Sequence, residues 1–261
     1  MSARVTLHPT AQIHPAALLG DGTTVGAFSV IGADVSLGSG CEVGPHAVIE
    51  GPTVMGARCK IFPFACIGMA PQDLKYQGER TTIDIGDDNV FREGVTVHRG
   101  TAGGGGVTRI GSGNLLMAQT HIAHDCQVES HVIFANAATL AGHVVVEEGA
   151  TIGAFSGVHQ FCRVGAHAYV GGYSVITQDA LPYVLTVGNR AKSFGINVVG
   201  LERKSFPPET IQALRQAYRI LFRSRLTLDE ALVRLRDEFA GQNEVGRLVA
   251  FIRGSKRGVV R

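Results

Sequence analysis

The sequence predicts an all-β column of stacked three-sided coils, followed by a small α-helical domain. Two observations predict the column: an apolar side chain recurs at every sixth position, and the residue after it is often glycine. A period of six matches neither the 3.6-residue α-helix nor an alternating strand, but it fits a chain that turns a corner every six residues. The third observation is a change to helical spacing after Pro207.

The six-residue repeats account for residues 1–189. Their first residues fall in three runs, which span Leu7–Ile67, Ile85–Val97 and Ile110–Ile176. With three sides to a coil, residues eighteen positions apart stack about 4.8 Å from one another. The fifth residue of each repeat is small, as at Cys41, because the interior of such a narrow column leaves little room. The sequence therefore predicts a little over eight coils.

Two segments interrupt the period, near residues 68–82 and 100–109. The repeats resume in the same phase after the first segment, which predicts a loop that projects from the column. Loops inserted between repeats are frequent binding sites. The second segment contains four consecutive glycines, Gly103–Gly106, and predicts a flexible loop. It lacks the lysine and hydroxyl residue that a phosphate-binding P-loop requires.

Residues 190–261 are predicted to form a small helical domain. Apolar residues at helical spacing make one stripe over Ile211–Leu221 and another over Leu228–Phe239. Thr227–Glu230 has the pattern of a capping box at a helix N-terminus. Val245–Ile252 predicts a third, shorter helix.

Charge is unevenly distributed along the chain. Residues 1–189 hold 9 Lys/Arg against 15 Asp/Glu, whereas residues 190–261 hold 15 against 7, for a net charge of +2. A basic C-terminal segment favours an acidic partner or phosphate groups. No apolar run is long enough to span a membrane, and the N-terminus lacks a signal-peptide pattern. We therefore expect a soluble, cytoplasmic protein without a transmembrane segment.

The cysteines are predicted to be core residues. The chain has 5, an odd number that argues against a disulfide framework. Cys41, Cys59, Cys126 and Cys162 all occupy the small position of a repeat. A buried thiol at such a position behaves as a small apolar side chain.

Several histidines are predicted to meet on one edge of the column. With stacking every eighteen residues, His124 lies beneath Gly142 and then Gln160, and His143 and His159 flank those two positions. These side chains would fall within about two coils, or roughly 10 Å. Histidine suits proton transfer because its unperturbed pKa lies near the working pH. This edge is therefore the candidate active site.

The repeats resemble the left-handed parallel β-helix, a triangular prism, of the hexapeptide-repeat acyltransferases. More specific motifs are Pro71–Gly78, Val97–Gly100, His121–Cys126, Val158–Cys162 and Phe194–Asn197. Together with the basic helical tail, they resemble the acyl-[acyl-carrier-protein]–UDP-N-acetylglucosamine O-acyltransferase family, which carries out the first step of lipid A biosynthesis. The resemblance covers essentially the whole chain, in order.

This resemblance implies transfer of an (R)-3-hydroxyacyl group from acyl carrier protein to the 3-hydroxyl of UDP-N-acetylglucosamine. The reaction needs a base for the hydroxyl proton and donors for the tetrahedral oxyanion. His124 matches the family's general base, Asp125 the residue that orients it, and the Gly142 N–H the oxyanion donor. Neighbouring side chains of a strand face opposite ways, so an Asp125–His124 contact requires a corner at this point.

The resemblance also implies a set of substrate contacts. Asp73 would bind the sugar and Lys75 would supply positive charge, while Gly172 would limit the acyl pocket. The family often has an acidic residue where this chain has Val199. The full expected substrate-binding set is Gln72, Asp73, Lys75, His121, His143, His159, Gln160, Gly172, Asn197, Arg203 and Lys204, of which the last three would grip the nucleotide and its diphosphate.

The expected assembly is a homotrimer with active sites between adjacent prisms, since members of the family are homotrimers. A basic helical surface with Arg215, Arg219 and Arg223 would suit the acidic acyl carrier protein. Neither a cofactor nor a resident metal is expected, and nucleic acid is not an expected partner.

Other functions remain open at this level. The same base and cleft would serve a UDP-sugar with a 3-amino group as acceptor. A carbonic anhydrase of the same fold would bind Zn²⁺ between subunits, with His121, His124 and His143 as candidate ligands. The loop around Gln72–Lys75 and the helical tail favour acyl transfer instead. A non-catalytic solenoid would present a flat, repetitive face, whereas the outward positions here are irregular.

Overall fold

A computed structural model of the protein describes residues 4–261. Short parallel strands form three sheets, here faces A, B and C, which are the sides of a triangular prism. Each coil contributes one strand to each face in turn, so a residue normally pairs with the residue eighteen positions further on. His121, for example, pairs with Thr139, and Thr139 pairs with Gly157. The predicted left-handed β-helix of hexapeptide repeats is confirmed.

Face A contains β1 (Thr6–Leu7), β4 (Thr24–Val25), β7 (Glu42–Val43), β10 (Lys60–Ile61), β13 (Val90–Phe91), β16 (Leu115–Leu116), β19 (Ile133–Phe134), β22 (Thr151–Ile152), β25 (Tyr169–Val170), β27 (Val184–Val187) and β28 (Lys192–Ile196). Face B contains β2 (Gln12–Ile13), β5 (Val30–Ile31), β8 (Val48–Ile49), β11 (Cys66–Met69), β14 (Thr96–His98), β17 (His121–Ile122), β20 (Thr139–Leu140), β23 (Gly157–Val158) and β26 (Val175–Ile176). Face C contains β3 (Leu18–Leu19), β6 (Val35–Leu37), β9 (Thr53–Met55), β12 (Thr82–Ile85), β15 (Val107–Ile110), β18 (Gln127–Val128), β21 (Val145–Val146) and β24 (Arg163–Val164).

The prism is filled by the apolar residues that open each repeat. Every one of them lies in a strand of β1 to β26, and Phe91 and Phe134 are among the largest side chains that are fully buried. The four cysteines at small positions are also buried, as predicted, while Cys66 is half-buried. Leu7, in the first strand, is 46% exposed.

The corners between the faces use a left-handed backbone conformation. Non-glycine residues with φ near +60° occupy corner after corner, including Asp125 at 60° and His143 at 61°. This conformation is unfavourable for most residues and is best tolerated by Asn, Asp and His. It places consecutive side chains, such as those of His124 and Asp125, on the same side of the chain.

Both insertions are folded. Residues 70–81 lie between β11 and β12, and Arg99 anchors this loop with bonds from its guanidinium to Gly51 O, Gly68 O and the Tyr76 hydroxyl. The glycine-rich segment forms a 3₁₀ helix, Ala102–Gly104, rather than the flexible loop that its composition predicts. The reason is local hydrogen bonding, since the N–H groups of Gly104 and Gly106 both donate to Thr101 O.

After the last coil the chain forms an antiparallel hairpin, β27 and β28, on face A. Four helices follow: α1 (Val198–Arg203), α2 (Pro208–Arg223), α3 (Leu228–Glu238) and α4 (Asn243–Arg253). The hairpin and α1 lack the periodic pattern on which the sequence predictions depended. The three predicted helices are present, but α4 is as long as α3, at 11 residues, rather than shorter.

The apolar stripes of α2, α3 and α4 meet in a second core, with Leu214, Leu235 and Leu248 buried at its centre. The capping box is confirmed, because Thr227 accepts from the Glu230 N–H while the Glu230 carboxylate accepts from the Thr227 N–H. No helix within residues 4–261 is both long and apolar enough to cross a membrane.

Candidate active site

The residues predicted to be catalytic lie on one edge of the prism, where the chain turns from face B to face C. His124 and Asp125 form the turn between β17 and β18. Gly142 and His143 occupy the same turn one coil further along, and the following coil places His159 and Gln160 there. We call this corner the B–C edge. The eighteen-residue stacking correctly predicts that His124, Gly142 and Gln160 share this edge, with His143 and His159 beside them.

The His124 ring is bonded to the next residue in the chain. Its Nδ1 lies 2.8 Å from Oδ2 of Asp125, whose side chain is fully buried. An ionised carboxylate has no proton to give, so Nδ1 carries the proton and Nε2 keeps a free lone pair. The His124 side chain is 15% exposed, so the ring is held mainly by protein and still reaches solvent.

The environment of Asp125 includes two residues that no sequence pattern indicates. Oδ1 accepts from the Thr101 N–H at 2.9 Å, and Oδ2 accepts from the Thr101 hydroxyl at 2.7 Å. The Asp125 N–H donates to Oγ1 of Thr108 at 2.8 Å. Both threonines belong to or adjoin the glycine-rich insertion. No pattern in the sequence signals a contact across 24 residues that passes through an irregular segment.

Gly142 lies directly against the His124 ring. A Cβ atom at this position would lie 2.5 Å from Cε1 and 2.7 Å from Nε2 of His124, well inside van der Waals contact. Within residues 4–261, the Gly142 N–H makes no hydrogen bond, although the residue is buried. Buried N–H groups are nearly always paired, so an unpaired one beside an imidazole is available to a ligand.

His143 packs against His124 at the same edge. Its ring is perpendicular to that of His124, with centroids 5.1 Å apart, and it stacks on Phe161 at 4.4 Å. Burial lowers the pKa of His143, and the nearby carboxylates of Asp125 and Asp73 only partly offset this effect. The charge of Asp73, in the 70–81 loop, thus acts on the histidine cluster.

Two further imidazoles lie on face B beside the edge. His121 Nδ1 is 2.7 Å from the Thr96 hydroxyl, and its ring meets that of His98 edge to face at 4.9 Å. Burial lowers the pKa of both, to about 4 for His98, with a smaller contribution from the positive charge that a neighbouring histidine would carry. These rings therefore stay neutral at pH 7 and can exchange hydrogen bonds without adding charge.

The remaining loop residues are less enclosed. Gln72 and Lys75 are exposed, and the Lys75 N–H donates to Oδ1 of Asp73 at 2.9 Å. His159 is also exposed, and its Nδ1 accepts from the Arg257 guanidinium at 3.2 Å. Arg257 reaches the edge from the C-terminal segment, a contact that the sequence did not predict.

The residues expected to hold the nucleotide lie elsewhere, on face A. Asn197, Arg203 and Lys204 line a cavity of about 490 Å³ together with Val199. The Asn197 side chain is already bonded, since it caps α1 by accepting from Gly200 N and donates to the carbonyl of His167. Lys204 Nζ donates to the carbonyl of Gly149, and partial burial lowers its pKa.

Within one chain, the width of the prism separates the histidines of the B–C edge from the cavity on face A. Face A is the side of a triangle that does not contain the B–C edge. A side of six residues at about 3.3 Å each is roughly 20 Å long, so the edge and the cavity point in different directions. Gly172 lies at neither place but at the corner between faces A and B. A Cβ atom on Gly172 would lie 3.3 Å from the carbonyl oxygen of Ala154. The structure does not unite these residues within a single chain.

One group in the described part of the chain brings three metal-ligating atoms within 4.8 Å of one another, namely His124, Asp125 and His143. His121 does not belong to this group. The three-histidine set considered for a zinc hydratase is therefore not assembled within one chain.

The fold and the edge of histidines define a hexapeptide-repeat transferase. The family model for bacterial transferase hexapeptides (six repeats) matches residues 16–51 and 143–178, and that for domain 2 of UDP-N-acetylglucosamine O-acyltransferase matches residues 179–260. The chain belongs to the acyl-[acyl-carrier-protein]–UDP-N-acetylglucosamine O-acyltransferase family. It is 52% identical to the member from Myxococcus xanthus over 98% of this chain and 99% of that one.

Other relatives give the same result. The member from Alkalilimnicola ehrlichii is 51% identical over 98% of this chain and 99% of its own. The crystal structure of UDP-N-acetylglucosamine O-acyltransferase from Moraxella catarrhalis is 44% identical and superposes with a TM-score of 0.95, covering 98% of this chain and 99% of that one. The relationship extends over the prism, both insertions and the helices.

Proposed function

We propose that the protein transfers an (R)-3-hydroxyacyl group from acyl carrier protein to the 3-hydroxyl of UDP-N-acetylglucosamine, the first step of lipid A biosynthesis. The observation that carries this proposal is that His124, with a free imidazole nitrogen, lies directly beside Gly142, whose N–H has no hydrogen-bond partner. A base and an oxyanion donor side by side are what acyl transfer to an alcohol needs.

In the reaction, Nε2 of His124 takes the proton of the sugar hydroxyl as its oxygen attacks the thioester carbonyl carbon. The Gly142 N–H donates to the resulting oxyanion. Collapse of the tetrahedral intermediate breaks the C–S bond, and the imidazolium returns its proton to the departing thiolate. The products are the 3-O-acyl sugar nucleotide and the carrier with a free thiol. Asp125 keeps the imidazole in one tautomer and stabilises the imidazolium while it exists.

The sugar would bind next to His124, between His143 and the 70–81 loop. Support comes from the position of Asp73, which lies close enough to His143 to affect its pKa. A carboxylate can accept hydrogen bonds from sugar hydroxyls, and the neutral imidazoles of His121 and His143 can add further ones. Lys75 at the exposed end of the loop would meet the substrate's negative charge.

We further propose a homotrimer in which each active site is shared by two subunits. The cavity of Asn197, Arg203 and Lys204 lies on the side of the prism opposite His124, beyond the reach of one bound sugar nucleotide. A cyclic arrangement that sets the B–C edge of one prism against face A of the next would unite base and nucleotide pocket. The acyl chain would then run along the same interface, towards Gly172 of the neighbouring subunit.

The carrier protein would dock on α2. Arg215, Arg219 and Arg223 are exposed along one side of this helix, and none forms an ion pair with another residue of the described chain. An acidic partner is attracted to such a surface, and the attraction weakens with salt. We also propose that the reaction takes place in the cytoplasm.

The direct test offers the purified protein UDP-N-acetylglucosamine or its 3-amino analogue with a panel of (R)-3-hydroxyacyl carriers of different chain length. We expect an alkali-labile ester to UDP-N-acetylglucosamine and a preference for one chain length. Exclusive formation of an amide with the 3-amino analogue would overturn the proposed acceptor. Absence of transfer to either sugar from every carrier would overturn acyl transfer itself.

A further inference from the structure

The fully buried carboxylate of Asp125 depends on one residue for two of its three hydrogen bonds. Thr101 donates its N–H to Oδ1 at 2.9 Å and its hydroxyl to Oδ2 at 2.7 Å, and His124 supplies the third bond. His143 Nε2 is 3.8 Å away, too far for a hydrogen bond. A buried carboxylate without donors is strongly unfavourable, so these bonds compensate the burial of Asp125.

The direction of the hydroxyl bond follows from its partners. Thr101 Oγ1 accepts from the Gly104 N–H at 3.2 Å within the 3₁₀ helix, so its own single proton is free for the carboxylate. Asp125 Oδ2 then accepts two hydrogen bonds, one from the Thr101 hydroxyl and one from His124 Nδ1. This chain of bonds fixes both the rotamer of the carboxylate and the face that it presents to the imidazole.

The glycine-rich insertion is shaped around the same carboxylate. A Cβ atom at Gly104 would overlap the carboxyl carbon and both oxygens of Asp125, and one at Gly100 would lie 2.8 Å from Oδ1. Neither residue has a positive φ, so glycine is required there for close approach rather than for backbone conformation. The segment therefore encloses Asp125 instead of forming an open surface loop.

We propose that Thr101 is a positioning residue for acyl transfer, acting through Asp125 to hold His124, and that the insertion exists to present it. This inference rests on the proposed function. Removing the hydroxyl leaves Oδ2 with one donor fewer and frees the carboxylate to rotate, which displaces the imidazole. Because a displacement of about 1 Å at a reacting group can cost about a hundredfold in rate, we expect kcat to fall about ten- to a hundredfold in Thr101→Val. The KM for UDP-N-acetylglucosamine should change little, since Thr101 does not line the proposed sugar pocket.

The test compares Thr101→Val with Thr101→Ser, which restores the hydroxyl, and with Thr23→Val as a matched control. Thr23 is buried like Thr101, and its hydroxyl donates to the carbonyl of Gly38 in the first coils of the prism, far from the active-site coils. We expect Thr101→Ser to recover most of the wild-type kcat and Thr23→Val to retain it. Melting temperatures of all variants show whether any loss reflects folding.

A double-mutant cycle with Asp125→Asn separates positioning from general destabilisation. If Thr101 acts through Asp125, the double variant should have a kcat less than twofold below that of Asp125→Asn alone. Additive losses, or a wild-type kcat in Thr101→Val, would overturn the inference while leaving the proposed function intact. Absence of turnover by the wild-type protein would instead overturn the proposed function.

Discussion

The ring of His124 lies directly against Gly142, eighteen residues further along the chain, so that a Cβ atom at 142 would sit 2.7 Å from Nε2. Real Cβ atoms do not approach other atoms so closely, and Gly142→Ala must therefore displace the imidazole. We expect a loss of at least about a hundredfold in kcat, because both the base and the oxyanion donor move.

The matched control for this change is Gly157→Ala, in the next coil of face B. A Cβ atom at Gly157 would meet no atom within 4 Å, and its φ is not positive. Steady-state kinetics should show wild-type turnover in this variant. A fully active Gly142→Ala protein would show that the contact between 142 and the ring has no role in the reaction.

Removal of the imidazole is the second prediction. General base catalysis contributes about 10²–10⁴-fold, so His124→Ala should lower kcat by at least about 10²-fold. His131→Ala provides a control, because His131 is an exposed histidine at a corner between faces C and A. Rates are measured with saturating acyl carrier; near-normal turnover in His124→Ala would remove His124 as the base.

The third prediction concerns the junction between the prism and α4. Glu147 is buried there and accepts from Arg163 at 2.6 Å, from the Ala166 N–H at 3.1 Å and from Arg247 of α4 at 3.3 Å. Glu147→Gln should lower the free energy of unfolding by about 2–3 kcal/mol, because Arg163 and Arg247 would no longer have a buried carboxylate as their partner. Chemical denaturation measures this change.

An exposed ion pair supplies the comparison for Glu147. Glu42 and Lys60 are 3.2 Å apart, with side chains 60% and 52% exposed. Because solvent screens such pairs, Glu42→Gln should change stability by less than about 0.5 kcal/mol. Equal effects of the two substitutions would contradict the importance of the buried network.

The fourth prediction concerns acid stability. Burial, with a smaller contribution from Lys204, lowers the pKa of His167 from its ordinary value near 6.5 to about 4. Between these two pH values the unfolded chain binds a proton at His167 that the folded chain does not. The contribution of His167 to the free energy of unfolding is therefore fully present above pH 6.5 and is lost as the pH decreases towards 4. His98 acts in the same direction.

Melting curves between pH 7 and pH 4 test this effect. His167→Gln should remove about 1–3 kcal/mol of the acid-induced loss, whereas the exposed His131→Gln should leave the loss unchanged. An identical pH dependence in His167→Gln and the wild-type protein would show that another group dominates.

The sequence was most informative where the chain is periodic. Each repeat places one apolar residue inside the prism, so counting in sixes locates β1 to β26, and eighteen-residue stacking locates His124 beneath Gly142. The contact between His124 and Asp125 required a corner, and the φ of 60° at Asp125 provides it. The catalytic and binding roles of these residues stay predictions until the kinetic tests above are made.

Other features could not be predicted, because their contacts depend on aperiodic segments. The hairpin β27–β28 and helix α1 follow the last repeat and have no spacing signal. Thr101 reaches Asp125 only because the 3₁₀ helix turns back towards the prism, and Arg257 reaches His159 from 98 residues away. The division of the chain at residue 189 stays a prediction.

In the proposed trimer, a base from one subunit and a nucleotide pocket from the next form each acyltransferase site. Co-expression of His124→Ala with Arg203→Glu chains carrying different tags gives mixed trimers for assay. Random mixing leaves about one quarter of the sites with both groups intact, so we predict about one quarter of wild-type turnover, although each variant alone is nearly inactive. Turnover no higher than that of the separate variants would contradict the shared site.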